Sequence, residues 1–296
     1  MGIDIRDKEN ITHEDIIRLN FIKSPSRYFF RKHFREGLRS RLMQVLYPED
    51  VEAETKGVLQ QDVRWFPLAQ PLKMLRIFKK RFQTSEDVHK EIHNFKIVQK
   101  YLPLRHYAAS QEFLVPYFFA GKYDLLLCGL QEYVQGETLD PWREDSIDRL
   151  TAYFGDRIAD QNSLATLLKT LKASALSFVE HMKIMIQKAG YIPDLAGVGN
   201  IRITETGSMK LVDINNITPV SFDHHIQLDD KRYPACDKSM EALSRIEEYI
   251  TGRHKLPSEP LYRLFLDPER MSQVKIHEKR FHETTSASGN YPRLQD

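Results

Sequence analysis

The chain has 296 residues, 43 of them Lys or Arg and 41 Asp or Glu, for a formal net charge of +2. That balance argues against a protein devoted to coating nucleic acid, and hydrophobic and charged fractions of 41% and 28% are ordinary for a globular chain. The two cysteines, Cys128 and Cys236, can build neither a disulfide framework nor a CxxC metal site. No leader-like segment is evident, and no apolar run nears the roughly 20 residues needed to span a bilayer. A cytoplasmic location is therefore expected, with peripheral binding to the inner face of the membrane as an option.

In chain order, Thr12 to Leu46 reads as helical, with Thr12 as a cap and Pro25 as a break. The stretch Arg27–Arg41 is basic and aromatic, and its only acid is Glu36. It is expected to pack an aromatic stripe on a small lobe, with docking on an anionic membrane surface as the functional alternative. Pro48 to Phe66 shows little pattern. Leu72 to Phe78 reads as a strand with Leu72, Met74, Arg76 and Phe78 on one face. Thr84 and Asp87 form a capping box for a helix carrying Val88, Ile92, Phe95, Val98 and Leu102 at helical spacing. Phe113–Phe119 and Tyr123–Leu127 flank a turn at Ala120–Gly121–Lys122. A long apolar-striped helix from Leu164 ends at Gly190. A hairpin follows, with Asn200–Thr204 and Met209–Ile214 as its strands, then a helix from Asp237 to Ile250. The polar stretch from Met271 is expected to be disordered. Strands early and helices late predict an α+β fold.

The chemistry concentrates in Tyr191 to Ile217. Asp194 in a loop, Asn200 at the start of one strand and Asp213 at the end of the next can converge. Such oxygen ligands suit Mg²⁺, whose coordination is usually completed by water and substrate phosphates. Asp194 could then accept a proton from an attacking hydroxyl. His89 and His93 lie four apart on one helix but lack a third ligand, so a solvated face is expected.

This segment resembles the catalytic loop and metal-binding hairpin of the protein-kinase-like superfamily. It is most similar to the bacterial small-molecule branch, such as aminoglycoside phosphotransferases and lipopolysaccharide core kinases. The resemblance implies a bilobal fold, with a small β-rich N-lobe and a larger helical C-lobe. It places a basic extension at 1–47, the N-lobe at 48–131, the C-lobe at 132–270 and a tail at 271–296. It implies Asp194 as catalytic base, with Asn200 and Asp213 holding Mg²⁺. Gln131–Glu132–Tyr133–Val134 is similar to the hinge, where Glu132 and Val134 would hold the adenine of ATP. Arg76 stands where the family has its strand Lys, and Glu91 matches that residue's ion-pair partner.

The departures are specific. The family's His-x-Asp is Ile192–Pro193–Asp194, and the Asp194–Asn200 interval is one residue longer than in H-R-D-x-x-x-x-N. Asn215 replaces the Gly of D-F-G, and Gly57 is the only glycine between Gly37 and Gly121. The expected activity is ATP- and Mg²⁺-dependent phosphoryl transfer to the hydroxyl of a small molecule, glycan, lipid or protein, with no nucleic-acid partner. The alternative is a pseudokinase serving as a nucleotide-binding or scaffolding module.

Overall fold

The computed structural model describes residues 3–34, 39–252 and 259–287. The fold is mixed α and β, and the chain divides into two compact units: Met1–His93 with Ala108–Tyr133, and Asn94–Tyr107 with Val134–Asp296. No helix among the described residues is long and apolar enough to cross a membrane.

The first unit opens with α1 (His13–Ile17), which Thr12 caps through a capping box with Asp15. Strands β1 (Phe29–Lys32) and β2 (Ser40–Leu46) follow, then α2 (Pro48–Lys56) and an exposed hairpin of β3 (Val58–Gln60) and β4 (Val63–Trp65). Next come β5 (Lys73–Phe78), α3 (Ser85–Tyr101, counted with the second unit from Asn94 on), β6 (Ser110–Phe119) and β7 (Lys122–Glu132). The main sheet is antiparallel, in the order β1-β2-β5-β7-β6. Its register sets Met74 between Gln44 and Gln131, and Arg76 between Leu42 and Gly129. Alternate residues Phe30, Met43, Val45, Leu75, Ile77, Leu126 and Cys128 belong to one buried cluster with Ile5, Ile11, Ile16 and Leu19 of the N-terminal segment.

The helix expected after Pro25 is therefore corrected: these residues are strands. Their decisive signal is period two. Phe30, Met43 and Val45 enter the core, while Arg31 and Gln44 face each other across the register on the other side. Arg31 donates to Gln44 at 2.8 Å and to Glu54 at 2.6 Å, and Arg41 is buried, so the basic residues form no single helical face. Arg35 and Glu36 lie outside the described residues.

The second unit carries a short 3₁₀ turn (Leu104–His106), β8 (Glu137–Thr138), α4 (Ser146–Gly155) and the 29-residue α5 (Gln161–Ala189). Gly190 ends α5 in the left-handed conformation, as expected. Four short strands follow: β9 (Tyr191–Pro193), β10 (Ile201–Ile203), β11 (Met209–Leu211) and β12 (Ile217–Pro219). They pair as a sheet β11-β10-β8 and a ribbon β12-β9. Helices α6 (Ala235–Thr251), α7 (Pro260–Arg263) and α8 (Pro268–Ala287) complete the unit. Its core gathers Phe178, Met182 and Met185 of α5 with Leu195, Ile201, Ile203, Leu211, Leu243, Tyr262 and Phe265.

The tail expected to be disordered from Met271 is helical as far as Ala287, and residues 288–296 lie outside the described residues. Asp267 caps α8 by accepting from the Glu269 and Arg270 N–H groups, each at 3.0 Å. Arg270 is itself buried, and its Nε donates to Asp237 at 2.6 Å. Capping and a buried ion pair override the polar composition.

His106 is fully buried, and burial holds its imidazole down to about pKa 4 from the usual 6.5. The unfolded state therefore binds the extra proton between pH 6.5 and 4. Stability should be intact above pH 6.5 and fall by roughly 1.4 kcal/mol per unit on acidification, to about 3 kcal/mol near pH 4. Denaturant titrations across this window should show that slope in the wild type and a shallower one in His106→Asn.

Candidate functional site

In the second unit, Asp194 begins a loop that Asn200 closes. Asn200 Nδ2 donates to the Asp194 carbonyl at 2.9 Å, and the Asn200 N–H donates to the Gly197 carbonyl at 3.0 Å. A Cβ on Gly197 would sit 2.5 Å from Asn200 Nδ2, so only glycine lets the amide lie flat against the turn. Gly199 takes φ +96°, a region that favours glycine, and so accommodates the additional loop residue.

The strand order then returns the chain to its start. β10 and β11 form a hairpin with Ile201 opposite Leu211, and the Val212 N–H donates to the Asn200 carbonyl at 2.8 Å. After Asp213, β12 pairs with β9, setting Ile217 opposite Pro193. The Asp194 N–H donates to the Asn216 carbonyl at 2.7 Å, joining the two loops directly.

The Asp194 carboxylate accepts three hydrogen bonds. The Ala196 and Gly197 N–H groups reach Oδ1 at 3.0 and 3.2 Å, and Asn216 Nδ2 reaches Oδ2 at 3.1 Å. Its pKa is nonetheless raised, first by burial and then by the nearby Asp213 carboxylate. The Asp213 carboxylate thus acts on Asp194 through its charge, and the Asn200 amide closes the same loop. No cluster of three or more His, Cys, Asp or Glu suited to a metal occurs among the described residues. This donor set is what a cation completed by phosphate oxygens and water would use, and a cation would relieve the repulsion of the two acids.

Sequence reasoning missed the loop's supports. Trp142 Nε1 donates to the Ala196 carbonyl at 2.8 Å, and the Leu195 N–H donates to Ser239 Oγ on α6 at 3.3 Å. Asn216 was missed as well. Its only sequence signal is its place three residues beyond Asp213.

In the first unit, Met74, Arg76 and Phe78 lie on the expected strand, which begins at Lys73, and all three are buried. The expected Arg76–Glu91 pairing is replaced. Glu91 Oε2 takes Lys80 Nζ at 2.8 Å, whereas Arg76 Nη1 donates to Gln131 at 3.0 Å and its guanidinium lies over Phe78. Lys80, just beyond the end of β5, reaches α3 from the loop that follows the strand. The Glu132 N–H is committed to the Ala109 carbonyl at 2.7 Å. Val134 is buried at the start of the second unit's main segment, and His89 and His93 are exposed. No protein-family profile matches the sequence, and no curated protein is similar to it.

A carboxylate whose folded pKa is raised adds most stability when protonated, and that contribution is lost as pH rises through its folded pKa. Asp194→Asn should therefore melt a few degrees above the wild type at pH 8, by about 2–4 °C per kcal/mol for a chain of this order of size. The gap should narrow toward pH 4 in calorimetric scans.

A second expectation concerns Gly136, at φ +147°, where a Cβ would run into the Ile203 carbonyl. Gly136→Ala should cost about 1–3 kcal/mol by forcing β8 off β10, readable as a lower denaturant midpoint.

Proposed function

We propose that the chain is a kinase-like phosphotransferase that moves the γ-phosphoryl group of ATP to a hydroxyl acceptor, on a bilobal protein-kinase-like fold. The observation that carries this reading is the Asp194–Asn200 loop, closed by the Asn200 amide, with the Asp213 carboxylate returned beside Asp194. The element order supports it too: an antiparallel sheet with a helix between its third and fourth strands in sequence, then a long helix and paired short strands.

Asn200 and Asp213 would hold Mg²⁺, which when bound neutralises charge on the phosphates. Asp194 would orient the acceptor hydroxyl and take its proton. Three N–H groups occupy its carboxylate, which leaves one acceptor position on Oδ2. Burial and Asp213 raise its proton affinity, which improves it as a base near neutral pH. We give to the Lys80–Glu91 pair the role that the resemblance assigns to Arg76 and Glu91, neutralising the nucleotide phosphates. The acceptor is the hydroxyl of a small molecule, glycan, lipid or protein.

A second reading, a nucleotide-binding scaffold without turnover, is favoured by one observation. Arg76, at the strand position of the phosphate-binding Lys, is 4% exposed and hydrogen-bonded to Gln131.

ATP with Mg²⁺ should raise the melting temperature of the wild type by mass action, and Asp213→Ala should lose that shift. Asp194→Asn should keep the shift and lose about 10²–10⁴-fold in turnover. No shift at saturating ATP and Mg²⁺ would sink nucleotide binding. A shift with neither acceptor turnover nor basal hydrolysis would select the scaffold.

A further inference from the structure

We infer that His106 is a positioning residue for Asp213, locking the outer edge of β11 so that the loop beyond it is held in place. The inference rests on the phosphotransferase reading of Asp213.

β11 is the outermost strand of its sheet, with β10 as its strand neighbour. Ser208 and Val212 turn their backbone groups toward β10, so those of Met209 and Leu211 point outward. An outward strand edge must find other partners when it is buried. The Met209 N–H donates to Ser174 Oγ of α5 at 2.9 Å. The Met209 carbonyl faces His106 Nδ1 at 3.1 Å, and Leu211 forms a parallel bridge with Tyr107. The 3₁₀ turn thus acts as a fourth member of the sheet, and Asp213 follows two residues after β11.

The chemistry of the clamp is self-consistent. A carbonyl only accepts, so Nδ1 carries the proton and Nε2 presents a lone pair. Ser177 Oγ donates to Nε2 at 3.0 Å, which fixes that tautomer, and Arg105 Nη2 donates to Ser177 Oγ at 3.1 Å. Phe178 packs edge-on to the imidazole at 5.8 Å and seals it. Burial keeps the ring neutral at ordinary pH, as this tautomer requires. Outer partners that orient a ligand typically matter by roughly 10–100-fold in metal affinity.

The test compares the wild type with His106→Phe, which cannot donate to Met209, and His106→Asn, whose amide N–H can stand in for Nδ1–H. Ser177→Ala, which loosens the tautomer but leaves the donor, is the fallback should His106→Phe not fold. Two readouts are taken at pH 7.5: amide hydrogen exchange over Met209–Asp213, and the Mg²⁺ concentration giving half of the ATP-dependent thermal shift. In His106→Phe, exchange at Leu211 and Asp213 should accelerate and the Mg²⁺ midpoint should rise about 10-fold or more, while His106→Asn stays near the wild type on both.

A lower melting temperature in His106→Phe with an unchanged Mg²⁺ midpoint would overturn the inference, leaving His106 a core residue only. Equal loss in His106→Asn and His106→Phe would overturn it too, because the donor would then be irrelevant. Absence of any Mg²⁺ response in the wild type would refute the phosphotransferase reading, and the exchange data alone would then decide whether His106 clamps β11.

Discussion

The hydrogen bond from the Asn200 amide to the Asp194 carbonyl closes the loop around which the short strands of the second unit are arranged. It ties the end of the loop back to its beginning, so the carboxylate of Asp194 and the start of β10 share one rigid frame. The frame tolerates no side chain at Gly197, since the amide occupies that space. It is braced from outside by Trp142 and Ser239, which satisfy the Ala196 carbonyl and the Leu195 N–H. The raised proton affinity of Asp194 comes first from burial of its carboxyl and then from repulsion by the Asp213 carboxylate. Repulsion of that kind, maintained by backbone closure, is commoner at functional sites than in loops that merely turn the chain.

Among the described residues, buried polar groups of the second unit support this frame through their partners. Met209 gives both its outward backbone groups to side chains, one on α5 and one on the 3₁₀ turn. Arg270 anchors α8 by pairing with Asp237 and donating to the Asp223 carbonyl. Lys183 of α5 meets Glu247 and Glu259 at 2.6 and 2.8 Å. Leaving Arg270 or Asp237 alone would be costly because both are buried, so that pair fixes where α8 lies more than it adds net stability, whereas the Lys183–Glu259 contact is partly exposed.

The first unit solves a different problem. Its sheet buries one face under the N-terminal segment, so that face is continuously apolar. The other face carries Arg31, Gln44, Arg76 and Gln131, and two of its hydrogen bonds run between neighbouring strands: Arg31 to Gln44 and Arg76 to Gln131. An arginine placed mid-strand and bonded across strands is held by its backbone position, whereas Lys80, past the end of β5, is paired with Glu91. That difference in position explains why the acid on α3 is paired with Lys80.

Local signals were readable from the sequence alone. The Thr84–Asp87 capping box, the Ala120–Gly121 turn and the Gly190 stop each depend on residues a few positions apart, whose spacing dictates their geometry, and the order Asp194, Asn200, Asp213 could be read along the chain. What needed the tertiary structure were choices between local options of similar energy. Phe29–Lys32 and Ser40–Leu46 became strands because β5 and the N-terminal segment offered a sheet edge and an apolar cover. Residues Pro268–Ala287 became a helix because Asp237 lay ready for Arg270. Trp142, Ser239, Asn216 and His106 gained their roles only when folding brought distant backbone groups within hydrogen-bond reach, a condition that no spacing along the chain encodes.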